Sequence, residues 1–338
     1  GHCHQDTMLL PHALAPEALR GGTTTIITET EVLASAMGLE GVRWFIDSTR
    51  DLPMKIFMTA PTITYLGTDD GTGAPLLSQK EMEEILDDPA VLGLGEVYWD
   101  RLVLEPELLL GLIAACRTRG KRVEGHTAGA RGGKLQAAVA AGVSSCHEPI
   151  LPEEALERLR LGLHVLFREG SVRHDLEAIA PVRTSGASLR RAILTSDTIW
   201  PVDLMAEGYM DGIVQRAIDL GFDPVEAIQM ASLNPAEHFG IDGEIGGIAP
   251  GRYADVVVFP DLRTVKPECV ISNGKVVVWQ RDLLVKASAP VPPPAGLGNP
   301  SFPRLLSPEE WTINAHGKSA RVRVIQVNGG IVTTEKIV

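Results

Sequence analysis

Short apolar segments rich in β-branched residues recur along the first two thirds of the chain, and helical patterns lie between them. Seven such segments are predicted as strands, at residues 23–28, 54–60, 91–96, 122–126, 143–148, 163–169 and 191–197. Strands that alternate with helices form parallel βαβ units. A further short strand is predicted to end at His4. The resulting spacing of about 28 residues per unit is typical of a (β/α)8 barrel.

A doubly wound open sheet would also alternate strands with helices. Its nucleotide-binding members carry a glycine-rich turn after a strand, and neither G-x-G-x-x-G nor a P-loop follows any predicted strand. The sequence therefore favours a barrel over residues 1–240. Helices are predicted at residues 78–88, 106–119, 134–141, 202–220 and 223–239, with Ser78 and Asp223 as N-caps and Gly142 as a C-cap.

The chain changes character after residue 240. Segments 254–259, 269–272 and 275–279 are predicted strands, and Asn273-Gly274 is a hairpin-turn pair. Residues 241–286 are therefore predicted to form a small, incomplete β-sandwich portion. Residues 287–304 are rich in Pro and Gly and are predicted to be a linker. Residues 305–338, with a strand at 322–327, are expected to start a truncated C-terminal domain. The chain starts without an initiator Met, so we expect it to be a fragment.

Composition excludes several classes of partner. The formal net charge of −12 disfavours nucleic acid, because phosphate binding needs clustered positive charge. The longest strongly apolar run, residues 108–116, is too short to span a bilayer. The four cysteines share no C-x-x-C spacing, so we expect free thiols and a cytoplasmic location.

Metal-ligating residue types stand at the C-terminal ends of the predicted strands, where a barrel places its reactive groups. These candidates are His2, His4, Glu96, His126, His147 and Asp197. In H-x-H on a strand, both imidazoles point to the same face and can reach one ion. Such histidines, taken singly, are more often structural. Their shared register favours a metal centre, and the number of ligands favours two divalent ions bridged by a carboxylate.

The chain resembles the amidohydrolase superfamily, and within it the adenine deaminases. The resemblance covers Gly1 to about Gln280 and, more faintly, the C-terminal piece. It rests on H-x-H at His2 and His4, GLGE at 93–96, EGH-x-x-G at 124–129, AAG-x-x-S-x-HE at 140–148, REGS at 168–171, TSD at 195–197, SLNPAEHFG at 232–240 and IAPGRYADVVV at 248–258.

The resemblance implies that His2, His4 and Asp197 hold one metal ion. It implies that His126 and His147 hold the other, with Glu96 as the bridge. Asp197 and Glu96 are thus the predicted catalytic residues, and Asp197 would pass a proton to the leaving group. Imidazole and carboxylate ligands suit Fe, Mn or Zn, and the sequence does not choose between them.

The positions expected around a substrate depart from adenine deaminases. The segments concerned are His4-Gln5-Asp6-Thr7, Glu29-Thr30-Glu31-Val32, Tyr98-Trp99-Asp100-Arg101-Leu102 and Thr198. Tyr98, Trp99 and Trp200 follow strand ends and are predicted to stack on a planar ring, with packing of loops as the alternative. Arg168 is predicted to bind a carboxylate or carbonyl, with a pairing to Glu169 or a loop carboxylate as the alternative.

Glu148 is expected to point to the opposite side of its strand from His147, as a residue that supports the ligands.

Together, these features predict a binuclear-metal hydrolase that cleaves a C–N bond of a small nitrogen heterocycle, most simply an adenine deaminase-like enzyme. Two alternatives stay open, a hydrolase that opens cyclic amides or lactams and an inactive relative that acts as a binding module. A homo-oligomer is also left open.

Overall fold

The computed structural model describes residues 2–5, 7, 9–66, 76–104, 106–286, 289–294, 307–312, 314–315, 317, 319–327 and 333–338. The chain divides into two compact units, Gly1–Val291 and Pro292–Val338. The boundary lies within the predicted linker, of which residues 287–288 and 295–304 are outside the described part. No helix among the described residues combines the length and the apolar character needed to cross a membrane.

Parallel strands form the centre of the first unit, and they match the seven predicted segments. They are β1 (Thr25–Thr28), β2 (Lys55–Ala60), β3 (Val91–Tyr98), β4 (Arg122–His126), β5 (Ser145–Cys146), β6 (His164–Arg168) and β7 (Ala192–Thr195). Within the described chain, β1 to β4 pair in sequence order and β5 to β7 do the same. Both sheets are parallel throughout. The predicted barrel architecture is confirmed.

Hydrogen bonds at two junctions join the two sheets into a ring. At one junction, the backbone N–H of Ser144 donates to the carbonyl of Val123 at 2.8 Å. At the other, Cys3 makes a parallel bridge with Asp197, and its carbonyl accepts from Glu29 at 2.8 Å. The short segment ending at His4 therefore takes the place of the predicted additional strand, between β7 and β1.

Helices cover the outside of the strands, as βαβ units require. They are α1 (Pro11–Arg20), α2 (Glu31–Thr49), α3 (Thr62–Leu66), α4 (Gln79–Asp87), α5 (Trp99–Leu104), α6 (Pro106–Thr118), α7 (Gly133–Ala141), α8 (Pro152–Arg160), α9 (Leu176–Ile179), α10 (Pro201–Glu207), α11 (Met210–Asp219), α12 (Pro224–Ala231) and α13 (Leu233–Phe239). The predicted caps are confirmed. Ser78 forms a capping box with Glu81, Asp223 accepts from two backbone N–H groups, and Gly142 ends α7 in the left-handed region.

Two predicted helices are each divided in two. The helix predicted at 202–220 breaks between α10 and α11, where Gly208 adopts a φ of 84° that a helix does not allow. The helix predicted at 223–239 breaks at Ser232, whose φ and ψ are −132° and −73°. Pro235 explains that break, because a proline has no N–H to continue the hydrogen-bond ladder through this position.

The small sheet of the first unit is antiparallel. Among the described residues it contains β8 (Val256–Val258), β9 (Cys269–Ser272), β10 (Lys275–Trp279) and β11 (Asp282–Leu283), in the order β11-β10-β9-β8. Asn273 and Gly274 turn the β9–β10 hairpin with φ values of 51° and 76°, as a tight hairpin turn requires. An ion pair of 2.7 Å between Lys55 and Asp255 ties the sheet to β2.

The second unit contains an antiparallel hairpin of β12 (Arg323–Val327) and β13 (Thr333–Ile337). The strand predicted at 322–327 is confirmed by β12. All four cysteines of the chain are buried and free, as predicted.

Candidate metal centre

The H-x-H pair, the end of β3 and the end of β7 bring four of the predicted ligands together. Nε2 of His2 lies 3.2 Å and Nε2 of His4 lies 3.3 Å from Oε1 of Glu96. Nε2 of His4 is also 3.4 Å from Oδ1 of Asp197. These four residues form one group whose ligand atoms all lie within 4.8 Å of one another.

A second group contains Glu96 again, with the imidazole that ends β4 and the imidazole that follows β5. Nδ1 of His126 lies 3.1 Å from Oε2 of Glu96, and Nε2 of His147 lies 3.0 Å from Oε1. One carboxylate therefore contacts histidines of both groups. The structure brings all six predicted ligand residues to a single place, with Glu96 between the two sets.

The arrangement fits divalent metal ions. Ligand atoms held about 2.0–2.1 Å from a tetrahedral ion are about 3.3 Å apart, which matches the N···O distances around Glu96. Nε2 of His2 is buried and has no hydrogen-bond partner among the described residues, although Glu96 is close by. A lone pair that faces a carboxylate without a hydrogen bond is suited to a cation between the two groups.

The buried charges of the cluster stabilise one another. Burial alone would raise the pKa of Glu96, but the imidazoles of His147, His126 and His2 lower it well below its usual range. Burial lowers the pKa of His147, but Glu96 and Glu148 outweigh that effect and raise it well above its usual range. The same kind of balance raises the pKa of His4. A bound cation would replace the protons on these imidazoles.

Asp197 reaches the cluster from a strained backbone. Its φ of 57° lies in the left-handed region, which costs a non-glycine residue about 1 kcal/mol, although Asp tolerates it better than most. The carbonyl of Asp197 accepts a 2.7 Å hydrogen bond from the backbone of His4. The chain turns sharply after β7 and so directs this carboxylate toward the two histidines of the H-x-H pair.

Glu29, at the end of β1, is a member of the site that the sequence did not single out as functional. Its Oε1 lies 3.1 Å from Nδ1 of His2, on the side of the ring opposite to Glu96. A carboxylate in this position fixes the ring orientation and leaves Nε2 for a metal ion. Gly95 makes room for it, because a methyl group at Gly95 would lie 2.9 Å from Cδ of Glu29. The sequence signal that could have identified Glu29 was a carboxylate at the C-terminal end of a predicted strand.

Glu148 lies inside the cluster, so the expectation that it points away is wrong. Oε1 of Glu148 is 3.1 Å from Nε2 of His147 and 3.6 Å from Nδ1 of His126. The reason is that β5 ends at Cys146, so His147 and Glu148 do not follow strand alternation. The neighbouring imidazoles and Arg168 hold the pKa of Glu148 at about 2, against the effect of burial, so this carboxylate is ionised.

Arg168 ends β6 and is only 1% exposed. Its guanidinium contacts Glu148 at 2.5 Å, Asp175 at 2.8 Å and Asp197 at 3.5 Å. These carboxylates balance the positive charge of Arg168. This agrees with the alternative stated from the sequence, in which Arg168 pairs with a loop carboxylate. The geometry connects Arg168 to both metal-ligand groups through Glu148 and Asp197.

The aromatic candidates differ in their distance from the cluster. The ring of Tyr98 stacks on His126 with centroids 4.1 Å apart. Trp99 donates its Nε1–H to the carbonyl of Ala128 at 2.8 Å, and the ammonium of Lys134 lies over its ring. Trp200 is 45% exposed at the start of α10. Tyr98 is therefore beside the cluster of candidate ligands, Trp99 is held by a loop, and Trp200 faces solvent.

Among curated proteins, the chain is similar to adenine deaminases. It is 36% identical to that of Methanothermobacter thermautotrophicus over 340 residues, covering 100% of this chain and 60% of the relative. It is 35% identical to that of Moorella thermoacetica over 328 residues, covering 96% of this chain and 55% of the relative. The chain thus spans between half and two thirds of the length of these relatives.

Solved structures share the fold at low sequence identity. A β-aspartyl dipeptidase from Fervidobacterium islandicum AW-1 aligns with a TM-score of 0.61 at 17% identity, covering 84% of this chain and 83% of that one. An N-acetyl-D-glucosamine-6-phosphate deacetylase from Mycobacterium smegmatis aligns with a TM-score of 0.57 at 19% identity, covering 79% of each. The model of the amidohydrolase family matches residues 1–277. This match covers most of the sequence, and the chain belongs to the amidohydrolase family.

Proposed function

We propose that the chain carries the catalytic centre of a metal-dependent hydrolase that removes the exocyclic amino group of an aminopurine, as an adenine deaminase does. The convergence of His2, His4, Glu96, His126, His147 and Asp197 at one end of the strands carries this proposal. The similarity to adenine deaminases over nearly the whole chain supports the aminopurine as the substrate class.

The same residues are proposed to hold two divalent ions of Fe, Mn or Zn. His2, His4 and Asp197 would bind one ion, His126 and His147 the other, and Glu96 both, since its two oxygens contact different histidines. When bound, such a pair supplies a hydroxide nucleophile at neutral pH and polarises the carbon under attack.

Asp197 is proposed to move the proton of the reaction. Its carboxylate stands at the edge of the cluster, and hydrogen bonding with His4 and the nearby imidazoles lower its pKa despite burial. An ionised carboxylate can accept the proton released as water oxygen bonds to the ring carbon. Delivery of that proton to the exocyclic nitrogen breaks the C–N bond and releases ammonia.

Arg168 and Glu29 are proposed to position the reacting groups. Arg168 contacts Asp197 and Glu148 together, so it fixes two carboxylates of the site relative to each other. Glu29 orients the ring of His2. Tyr98, beside His126, is the aromatic candidate closest to the cluster for stacking on a planar ring.

Metal analysis tests the centre itself. The purified chain, supplied with Fe(II), Mn(II) or Zn(II) and then dialysed, should retain about two ions per chain by plasma mass spectrometry. Substituting His126→Asn should remove at least one of them. His174→Asn is the matched control, because the His174 side chain is 65% exposed and forms an ion pair of 2.9 Å with Glu169, outside the cluster. Retention of no metal by the wild-type chain would favour a binding module over an enzyme.

A substrate panel tests the reaction. Ammonia release is measured with adenine, other aminopurines, pterins and pyrimidines, and ring opening is followed with cyclic amides. Turnover of an aminopurine that is lost in Asp197→Asn supports the proposal. Turnover of a cyclic amide with no ammonia from any aminopurine would replace deamination by lactam hydrolysis. Because the chain spans only part of its relatives, the panel is repeated with any longer form of the protein.

A further inference from the structure

A second polar cavity lies at the opposite end of the barrel strands from the metal centre. It has a volume of about 830 Å³ and is lined by the first residues of several strands and by α13. Arg122 and His164 start β4 and β6, whereas His126 and Arg168 end the same strands. At about 3.3 Å per residue, the two sites are about 13 Å apart along each strand. We refer to this space as the basal cavity.

The basal cavity is rich in positive charge. Its lining contains five basic side chains, Arg117, Lys121, Arg122, Arg190 and Arg191, against two acids, Glu237 and Asp242. The whole chain carries a formal net charge of −12, so this excess runs against its overall composition. Cationic groups gathered in a concave space attract an anion more strongly than the same groups spread over a surface.

The basic side chains available to a bound anion are those that have no carboxylate partner. Arg190 pairs with Glu237 at 2.9 Å, and Nζ of Lys121 donates to the carbonyl of Asp88 at 2.8 Å. Arg117 and Arg122 make no ion pair with the residues that the structure describes. The basal cavity therefore offers guanidinium groups, those of Arg117 and Arg122, that form no ion pair within the described part of the chain.

Two buried polar atoms without a hydrogen-bond partner lie beside the same space. Nε of Arg122 is buried and has no hydrogen-bond partner in the described part of the chain. His238, which is 1% exposed, binds Glu124 through Nε2 at 2.6 Å, while its Nδ1 is buried without a partner within the described ranges. Buried polar atoms are normally hydrogen-bonded, so the Nε–H of Arg122 favours a ligand that accepts a hydrogen bond in the basal cavity.

We propose that the basal cavity binds an oxyanion, and that its ligand is a small molecule carrying a phosphate group. The planar fork of Arg matches phosphate oxygens with two parallel hydrogen bonds. Inorganic phosphate would occupy only part of 830 Å³, and this volume is within the range of small-molecule sites. The positive surroundings also act on His164, whose pKa is lowered to about 3 by burial, His238 and Arg191.

Calorimetric titration with inorganic phosphate and with adenosine monophosphate tests the proposal at constant ionic strength. Saturable binding with a Kd below about 1 mM is expected for at least one of them. Arg122→Gln and Arg117→Gln should each weaken it tenfold or more. Arg50→Gln is the matched control, because Arg50 is exposed, pairs with Asp47 at 2.9 Å and does not line the basal cavity. Its Kd should equal that of the wild-type chain.

Two further measurements separate the basal cavity from the metal centre and from misfolding. If phosphate binds in the basal cavity, binding should persist in Glu96→Gln. If phosphate is held by metal ions instead, binding would be lost in Glu96→Gln and kept in Arg122→Gln. In the wild-type chain, phosphate should shift the ring resonances of His164 in a carbon–proton correlation spectrum, assigned with His164→Asn. Absence of saturable binding up to 10 mM of either probe, or an unchanged Kd in Arg122→Gln, would overturn the proposal.

Discussion

Adding one methyl group at Gly95 should damage the metal centre without touching a ligand. The methyl carbon would lie 2.9 Å from Cδ of Glu29 and 3.0 Å from the carbonyl oxygen of Ala60, where ordinary contact begins near 3.4 Å. Because the backbone of β2 cannot yield, Glu29 must move by about 0.5 Å or more. Its contact with His2, now 3.1 Å from Oε1 to Nδ1, would then lengthen beyond the distance at which the carboxylate can orient the ring.

The size of the effect follows from the role of Glu29. Loss of a carboxylate that orients a metal-ligating histidine typically weakens metal affinity by 10–100-fold, or about 1.4–2.7 kcal/mol. We therefore expect Gly95→Ala to retain less metal than the wild-type chain after dialysis against a graded series of chelator concentrations. Plasma mass spectrometry gives the metal content, and the chelator midpoint gives the change in affinity.

Two glycines provide controls for Gly95→Ala. In the same strand, a methyl group at Gly93 would lie 2.9 Å from the carbonyl carbon of Arg122, away from Glu29, so Gly93→Ala should lower Tm but leave the chelator midpoint unchanged. Gly111 in α6 has open space around it, so Gly111→Ala should change neither quantity adversely. If Gly95→Ala and Gly93→Ala lower Tm alike and bind metal alike, the reasoning about Glu29 is refuted.

Replacing Glu96 by Gln keeps the side-chain volume but removes the charge that is proposed to bridge two ions, so metal content should fall by at least half and ammonia release should fall to background. Retained metal would refute the proposed bridging role. Trp200→Ala should shift the free energy of unfolding in urea by less than about 0.5 kcal/mol and raise KM, whereas an unchanged KM would exclude substrate contact. For His164, with a pKa lowered to about 3, unfolding takes up a proton between about pH 6.5 and pH 3, so the folded state loses stability as pH falls through this window. In His164→Asn that slope should be smaller by about 1.4 kcal/mol per pH unit, and an identical slope would contradict the assignment.

The strands and the convergence of the candidate ligands were predictable because their signals are local. A polar residue after a run of β-branched residues marks the C-terminal end of a strand. Parallel strands in a barrel bring these ends to one rim. For this reason the placement of His126 and Asp197 at one rim could be predicted without knowledge of their neighbours. The division of the 202–220 helix depended on Gly208, whose φ of 84° is set by the packing around it rather than by the helical pattern.

The contacts around the ligands were less predictable, because they depend on where a strand stops. Glu148 was assigned to the wrong side since β5 contains only two residues, Ser145 and Cys146, and alternation ends before the ligand. The partners of Arg168 come from three separate segments, and one of them, Asp175, lies seven residues further along the chain. Such pairings follow from the closed ring and not from the order of residues.

The ring of strands closes through contacts between positions that are far apart in the chain. The hydroxyl of Thr195 donates to the carbonyl of His2 across a sequence separation of 193 residues. Bringing such distant segments together has an entropic cost that grows with the loop between them. A metal ion that needs ligands from both segments binds the closed ring and not an open intermediate, so its binding energy adds directly to the stability of closure. The ion would thus hold the segment at His2 against the end of β7. Its removal with a chelator should destabilise this junction before the rest of the domain unfolds.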